Sequence, residues 1–226
     1  VFTFQAPRPQ RQAPVVMVFC LFSDKPPEQV ASKGAKGAAA NAMLEKQGYP
    51  NQFAVGLKDA CCKDPLACCV TTIFGACGCP ACYFRKAVLD KFGKGVEDYV
   101  CFQGYVPKMC CVDWPTCCQG SALGLFCEGC CCPIFSLSIA RLHIMDAKQV
   151  RPDPMDWQII AFSNYCQILS CICDILACFF EELRDLAALI DCIADTITAV
   201  VAGCMGAQIN YELKQTGPVT PQTMTR

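Results

Sequence analysis

Adjacent cysteines restrict this chain more than any other feature of its sequence. Cys61-Cys62, Cys68-Cys69, Cys110-Cys111 and Cys117-Cys118 are doublets and Cys130-Cys131-Cys132 is a triplet, within 23 cysteines in 226 residues. Neighbouring cysteines cannot easily bond to each other, because a disulfide needs Cα atoms about 4.4–6.8 Å apart and unstrained dihedrals. Each member of a doublet must take a different partner or none, and the odd total leaves at least one thiol outside any intramolecular disulfide. In a short secreted chain this density would mean a disulfide scaffold. This chain is long enough to bury a core without staples, and cysteine is itself among the residues most often buried. Buried thiols, disulfides and a structural zinc framework therefore all stay open at the level of the residues.

Hydrophobic residues make up 54% of the chain and charged residues 17%, against about 25% charged in typical soluble domains. That is greasier than an average cytosolic protein and less so than a polytopic transporter. A net charge of −1 offers nothing to steer nucleic acid, and none is expected as a partner. No basic start followed by an apolar core and a small-residue cleavage site is visible, so no secretory signal is expected.

Composition shifts divide the chain into an N-terminal arm with a short strand and helix (1–52), a first cysteine-rich repeat (53–109), a second (110–152), a long helical hairpin (153–214) and a polar tail (215–226). Prolines, glutamines and arginines make 1–14 an extended arm, as the two prolines do for the tail. Val15 to Phe22 is apolar and of strand type, and a helix is expected over Ala38–Gln47, stopped by Gly48. The repeat is Cys61-Cys62-Lys63-Asp64-Pro65-Leu66-Ala67-Cys68-Cys69, which returns as Cys110-Cys111-Val112-Asp113-Trp114-Pro115-Thr116-Cys117-Cys118. Each copy is followed by a Cys-Pro step, at Cys79-Pro80 and Cys132-Pro133, and then by an arginine, Arg85 or Arg141. Asp-Pro marks a helix start, because aspartate caps and proline suits the first helical position. The Cys-Pro proline should start or kink the helix that carries the arginine. The fold class expected is mainly α: repeated cysteine-rich helical hairpins, then two long packed helices, with extended arms at both ends.

The first long helix is expected from about Met155 to Leu183, capped by Asp153 or Asp156, and the second from about Leu186 to Lys214. Ile190, Ile193, Ile197, Val201 and Cys204 keep helical spacing and are expected to pack on the first helix. Asp191 and Asp195, on the other side, read as a solvated face, and Cys171, Cys178 and Cys192 as packing between helices. Leu66 to Phe84 is uncharged and long enough to span a bilayer, but its glycines, threonines and proline give little insertion energy. In the two long helices a mid-helix aspartate costs about 2.5–3.5 kcal/mol on the insertion scale, while each leucine or isoleucine returns only about 0.3–0.6. They read as weak autonomous spans, better suited to a buried hairpin or to lying against a membrane or partner.

Zinc is the leading cofactor candidate, since a structural site needs four Cys or His ligands. Cys62, Cys69, Cys77 and Cys79 offer one set, and Cys111, Cys118, Cys130 and Cys132 the other. Cys-x-x-Cys pairs are scarce, which weighs toward thiols and disulfides over zinc. The sole histidine, His143, reads as a packed or surface residue. No phosphate-binding loop, nucleophile elbow or clustered carboxylate pair appears, so an enzyme is not expected.

The opening Gly56-Leu57, the run Cys61-Cys62-Lys63-Asp64-Pro65, then Cys68-Cys69, Cys77-Gly78-Cys79-Pro80-Ala81-Cys82 and Phe84-Arg85 resemble the placenta-specific-eight family, which includes plant cadmium-resistance and cell-number-regulator proteins. Cys204, Gln208 and Glu212-Leu213 resemble its closing element. Cys-Pro-Ala-Cys replaces the family's Cys-Pro-Cys, and a long insertion separates opening from closing. The resemblance implies membrane-linked divalent-metal homeostasis or transport for some relatives. The residues themselves point to a non-catalytic structural or accessory protein, docked onto protein partners in a larger cytoplasmic or organellar assembly and in contact with a membrane.

Overall fold

Prolines and their capping partners decide where the helices begin. The computed structural model describes residues 46, 48–105 and 118–215; the expected arms, the strand at Val15–Phe22 and the doublets at Cys110-Cys111 and Cys117 lie outside them, as does most of the helix expected over Ala38–Gln47. Helix α1, Leu57–Lys63, stops at Asp64. The Asp64 carboxylate accepts a hydrogen bond from the Ala67 amide at 3.3 Å, and Pro65 opens α2, Pro65–Phe74. The α1–α2 elbow bends by 107°. Gly78, at φ +76°, turns the chain through the left-handed region that glycine adopts without cost, and Pro80 sits in the first turn of α3, Cys79–Phe92. Ser121 caps α4, Ala122–Cys131, by accepting from the Gly124 amide at 3.2 Å. Pro133 then opens α5, Pro133–Lys148, after a bend of 118°. Asp153, not Asp156, caps α6, Pro154–Phe179, accepting from the Met155 amide at 2.8 Å. A 3-10 turn at Glu181–Leu183 leads into α7, Arg184–Lys214.

The described residues are mainly α, with no strand among them and a single parallel bridge between Asn51 and Val150. Leu66 to Phe84 does not form one span: it is broken between α2 and α3 by the 3-10 turn Gly75–Cys77 and by Gly78. Helix α7 is the hub, touching α6, α2, α1, α5 and α3. The main core lies at the end where α7 finishes, with Phe84, Val88, Phe135, Ile139, Leu142 and Ile209 among its members. This end is called the base below. Two glycines let α2 approach α7 closely. A methyl group at Gly206 would stand 2.9 Å from the Thr71 Cβ, and one at Gly203 would stand 3.0 Å from the Cys68 carbonyl oxygen.

Buried ion pairs join the parts of the base. Arg85 of α3 meets Glu128 of α4 at 3.2 Å, Arg141 of α5 meets Asp156 of α6 at 2.8 Å, and Lys148 of α5 meets Glu212 of α7 at 2.6 Å. All six side chains are largely or wholly out of solvent. A buried pair of this kind is retained only when further hydrogen bonds satisfy the remaining polar atoms. Asp156 shows this, since it also accepts from the Leu57 amide at 2.7 Å and from Gln208 Nε2 at 2.9 Å.

The interface between the long helices matches the expected one in part. Val201 is buried with Ile160 of α6, and Ile197 and Cys204 pack against the same cluster, but Ile193 is 51% exposed. Nearer the tip the buried residues of α7 are Ala187, Asp191, Ala194 and Thr198. Asp191 is not on a solvated face, and Cys178 and Cys192 are exposed instead of packed between helices. Ile and Val periodicity locates an apolar face without saying whether that face is turned inward.

Candidate functional site

The α6–α7 hairpin is polar inside and apolar outside. On α6 the buried side chains are Asp156, Ile160, Ser163, Asn164, Gln167 and Ser170. Three of them hydrogen-bond to α7: Ser163 with Thr198 at 3.1 Å, Gln167 Nε2 to Thr198 at 2.8 Å and to Asp195 at 3.3 Å, and Ser170 to Asp191, while the buried Asn164 Nδ2 has no partner among the described residues. On the opposite face of α6, Phe162, Tyr165, Leu169, Ile172, Ile175, Leu176 and Phe179 are all exposed, Phe179 to 76%. These positions follow one helical stripe. Leu186, Leu189, Ile193 and Val200 continue the surface on α7. Within the most apolar stretches of the two helices only 28% and 39% of residues are buried. Both helices are long and apolar enough to cross a membrane by length and composition. At the tip Glu181, Glu182, Arg184 and Asp185 are exposed.

In the base, Glu128 receives four hydrogen bonds on its two oxygens. Arg85 Nε and Ser136 donate to one at 3.2 and 3.1 Å; the Tyr99 hydroxyl and the Phe102 amide donate to the other at 3.1 and 2.8 Å. Burial, and then the Glu128 charge, push the Tyr99 hydroxyl far above its usual range, so it stays a donor. Arg85 also donates to Gln103 Oε1 at 2.6 Å. These bonds hold Phe102 and Gln103 in the left-handed region, at φ 51° and 50°, which costs a residue with a side chain on the order of 1–3 kcal/mol. His143 Nδ1 lies 3.4 Å from Arg85 Nη1 and accepts from it. Burial, and then the Arg85 charge, push His143 down to about 4, so the imidazole is neutral near pH 7. This is a packed histidine serving an ion-pair network.

Among the described residues the candidate zinc ligands do not gather in the two expected sets. Cys62 is exposed beside Cys61, and Cys69 is exposed on α2. Cys77 and Cys79 are neighbours, but the thiols that continue their row are Cys82 and Cys130, the latter from the second set. Burial, and then the Cys130 thiol, push Cys82 up to about 12, which keeps it protonated. Helices α3 and α4 touch closely here, since a methyl at Gly129 would stand 3.0 Å from the Cys82 amide nitrogen. Cys118 packs beside Leu89, Tyr99 and Leu125, Cys132 packs against the main core at the start of α5, and Cys111 lies outside the described residues.

A different trio converges. Cys61, Cys68 and Cys204 bring their sulfur atoms within 4.8 Å of one another, each half-buried. The trio takes the other member of each of the first two doublets from the expected Cys62 and Cys69, because the elbow at Asp64-Pro65 turns Cys61 and Cys68 toward α7. Cys204 was grouped with the apolar face of its helix. The one sequence signal for it was the closing element of the family resemblance. No family model, curated protein or solved structure matches the chain.

Proposed function

We propose that this chain is a non-catalytic, membrane-embedded accessory protein. The α6–α7 hairpin enters the bilayer, and the ion-paired base stays in water, where it docks onto protein partners. One observation carries the reading: the long hairpin turns its polar side chains inward and its large apolar side chains outward. A water-soluble hairpin has the opposite arrangement. In lipid, polar groups must be satisfied within the protein and face the bundle interior. The outward stripe from Phe162 to Phe179 covers 18 residues, about 26 Å of helix, against a hydrocarbon core of about 30 Å.

The hairpin also lowers the cost that Asp191 sets against insertion. An aspartate alone at the centre of a span costs about 2.5–3.5 kcal/mol, but Asp191 is hydrogen-bonded to Ser170 and covered by α6. Inserted as a unit, the two helices shield Ser163, Gln167, Ser170, Asp191 and Thr198, while Asp195 stays exposed and takes a hydrogen bond from Gln167. Lys148, Arg151 and Lys214 flank the base end of the hairpin, while the tip holds three acidic residues and one arginine. The excess of basic residues orients the base toward the cytoplasm or its organellar equivalent. Carbonate extraction of the native membrane fraction tests the reading. The protein is expected in the pellet; recovery in the supernatant would mean that a protein partner, not lipid, covers the apolar stripe.

A second reading, membrane-linked divalent-metal homeostasis or transport, is favoured by the resemblance and by the Cys61, Cys68 and Cys204 trio. Zinc or cadmium uptake into sealed vesicles containing the protein separates the two, because the accessory reading expects none above empty vesicles.

A further inference from the structure

Three thiols from three different helices meet at the root of the hairpin, and the fold holds them there by means other than the thiols themselves. Cys61 comes from α1, Cys68 from α2 and Cys204 from α7. The 107° elbow turns α1 and α2 so that both cysteines face α7. Asp64, at the elbow, is tied to α7 by Asn210 Nδ2 at 2.8 Å and Lys214 Nζ at 2.6 Å. Gly203, next to Cys204, allows the Cys68 backbone to come close. Cys204 is within hydrogen-bonding reach of both other sulfurs. Among the described residues no other three metal-ligating side chains converge as tightly.

We propose that Cys61, Cys68 and Cys204 bind one thiophilic divalent ion, zinc or cadmium, which fastens the α1–α2 elbow to α7. Sulfurs bonded to a zinc ion at about 2.3 Å stand roughly 3.8 Å apart in a tetrahedron, so side-chain rotation alone closes the cluster around the ion. Thiolate ligands select such ions over magnesium or calcium, which require oxygen donors. Each thiol loses its proton to solvent as its sulfur bonds the metal, so binding releases up to three protons and is weakened by acid. The fourth ligand is water or the exposed Cys62, whose thiol lies beside that of Cys61. The role is structural: the ion joins elements that the Asp64–Lys214 contact already places.

This inference does not rest on the membrane reading, and carbonate extraction does not bear on it. The test uses the full chain in detergent, reduced, stripped of metal and titrated with cadmium against a competing chelator that keeps isolated thiol pairs empty. One cadmium per chain is expected, with a thiolate-to-cadmium charge-transfer band and proton release. In the loaded protein Cys61, Cys68 and Cys204 should resist alkylation, while Cys69 and Cys130 still react. Cys68→Ser and Cys204→Ser should each weaken binding by at least roughly 100-fold, the upper end of what losing an outer-shell partner costs. Cys69→Ser and Cys130→Ser should leave it unchanged. Where a serine variant fails to fold, the alkylation pattern of the unsubstituted protein decides alone. Failure to outcompete the chelator, protection of other cysteines, an equal loss in Cys130→Ser, or a disulfide within the trio in unreduced native protein would each overturn the inference.

Discussion

Arg85 has no exposed surface, and its guanidinium is satisfied by groups that the fold brings from elsewhere: Glu128, Gln103, the Val100 carbonyl and the rings of His143 and Tyr99. Removing one partner of such a pair leaves a buried charge uncompensated, at about 3–5 kcal/mol. Arg85→Leu is therefore expected to destabilise by that amount in denaturant titration of the detergent-solubilised protein. Arg85→Leu with Glu128→Leu should cost less than the single change, because no charge is left stranded. His143 adds a pH dependence. Its folded pKa of about 4 lies below the unfolded value near 6.5, so the unfolded chain takes up the proton first as pH falls. The stability tied to the neutral ring is complete above pH 6.5 and is lost on acidification toward pH 4, by about 3 kcal/mol. His143→Gln should flatten the melting temperature across that window; an unchanged slope would remove the histidine from the account. At this scale the sequence was half legible. Arg85 and Arg141 were marked by their places after the two Cys-Pro steps, but Glu128 and Asp156 read as a charge interrupting an apolar run and as a cap. Their pairing depends on contacts between helices that no spacing along the chain reveals.

Helix boundaries were the most readable elements, since Asp64-Pro65, Cys79-Pro80, Cys132-Pro133 and Asp153-Pro154 each open a helix where capping and proline geometry require. The faces of the long helices were misread in part, for a physical reason. Periodicity records that one side of a helix avoids water, and both a protein core and lipid satisfy that condition. The crossing of α2 over α7 also went unseen, although Gly203 and Gly206 are its cause. Gly206→Ala is expected to cost about 1–3 kcal/mol by overpacking against Thr71, measured as a lower denaturation midpoint. Two aspartate substitutions then separate core from lipid. Ile160 is buried between the helices, so Ile160→Asp should unfold the hairpin in detergent and membrane alike. Ile193 faces outward. Ile193→Asp should leave the detergent-solubilised fold nearly unchanged but lower the membrane-inserted fraction, at about 2.5–3.5 kcal/mol. Equal effects of both substitutions in detergent would return Ile193 to a protein core.

The whole molecule combines a base whose charges are buried and paired with a hairpin whose apolar surface is exposed. The base buries and pairs its charges, although Leu66, Ile73, Phe74 and Leu123 are exposed on it, while the hairpin keeps Ser163, Gln167, Ser170, Asp191 and Thr198 between its helices. The most direct test is the position of the hairpin tip relative to the base. An epitope inserted between Glu181 and Glu182, with a second placed after Arg226, can be probed by protease in sealed vesicles. The account expects the two epitopes on opposite sides of the membrane, so that one is cleaved while the other stays protected until the vesicles are opened. Cleavage of both in intact vesicles, or protection of both, would contradict a hairpin that crosses the bilayer.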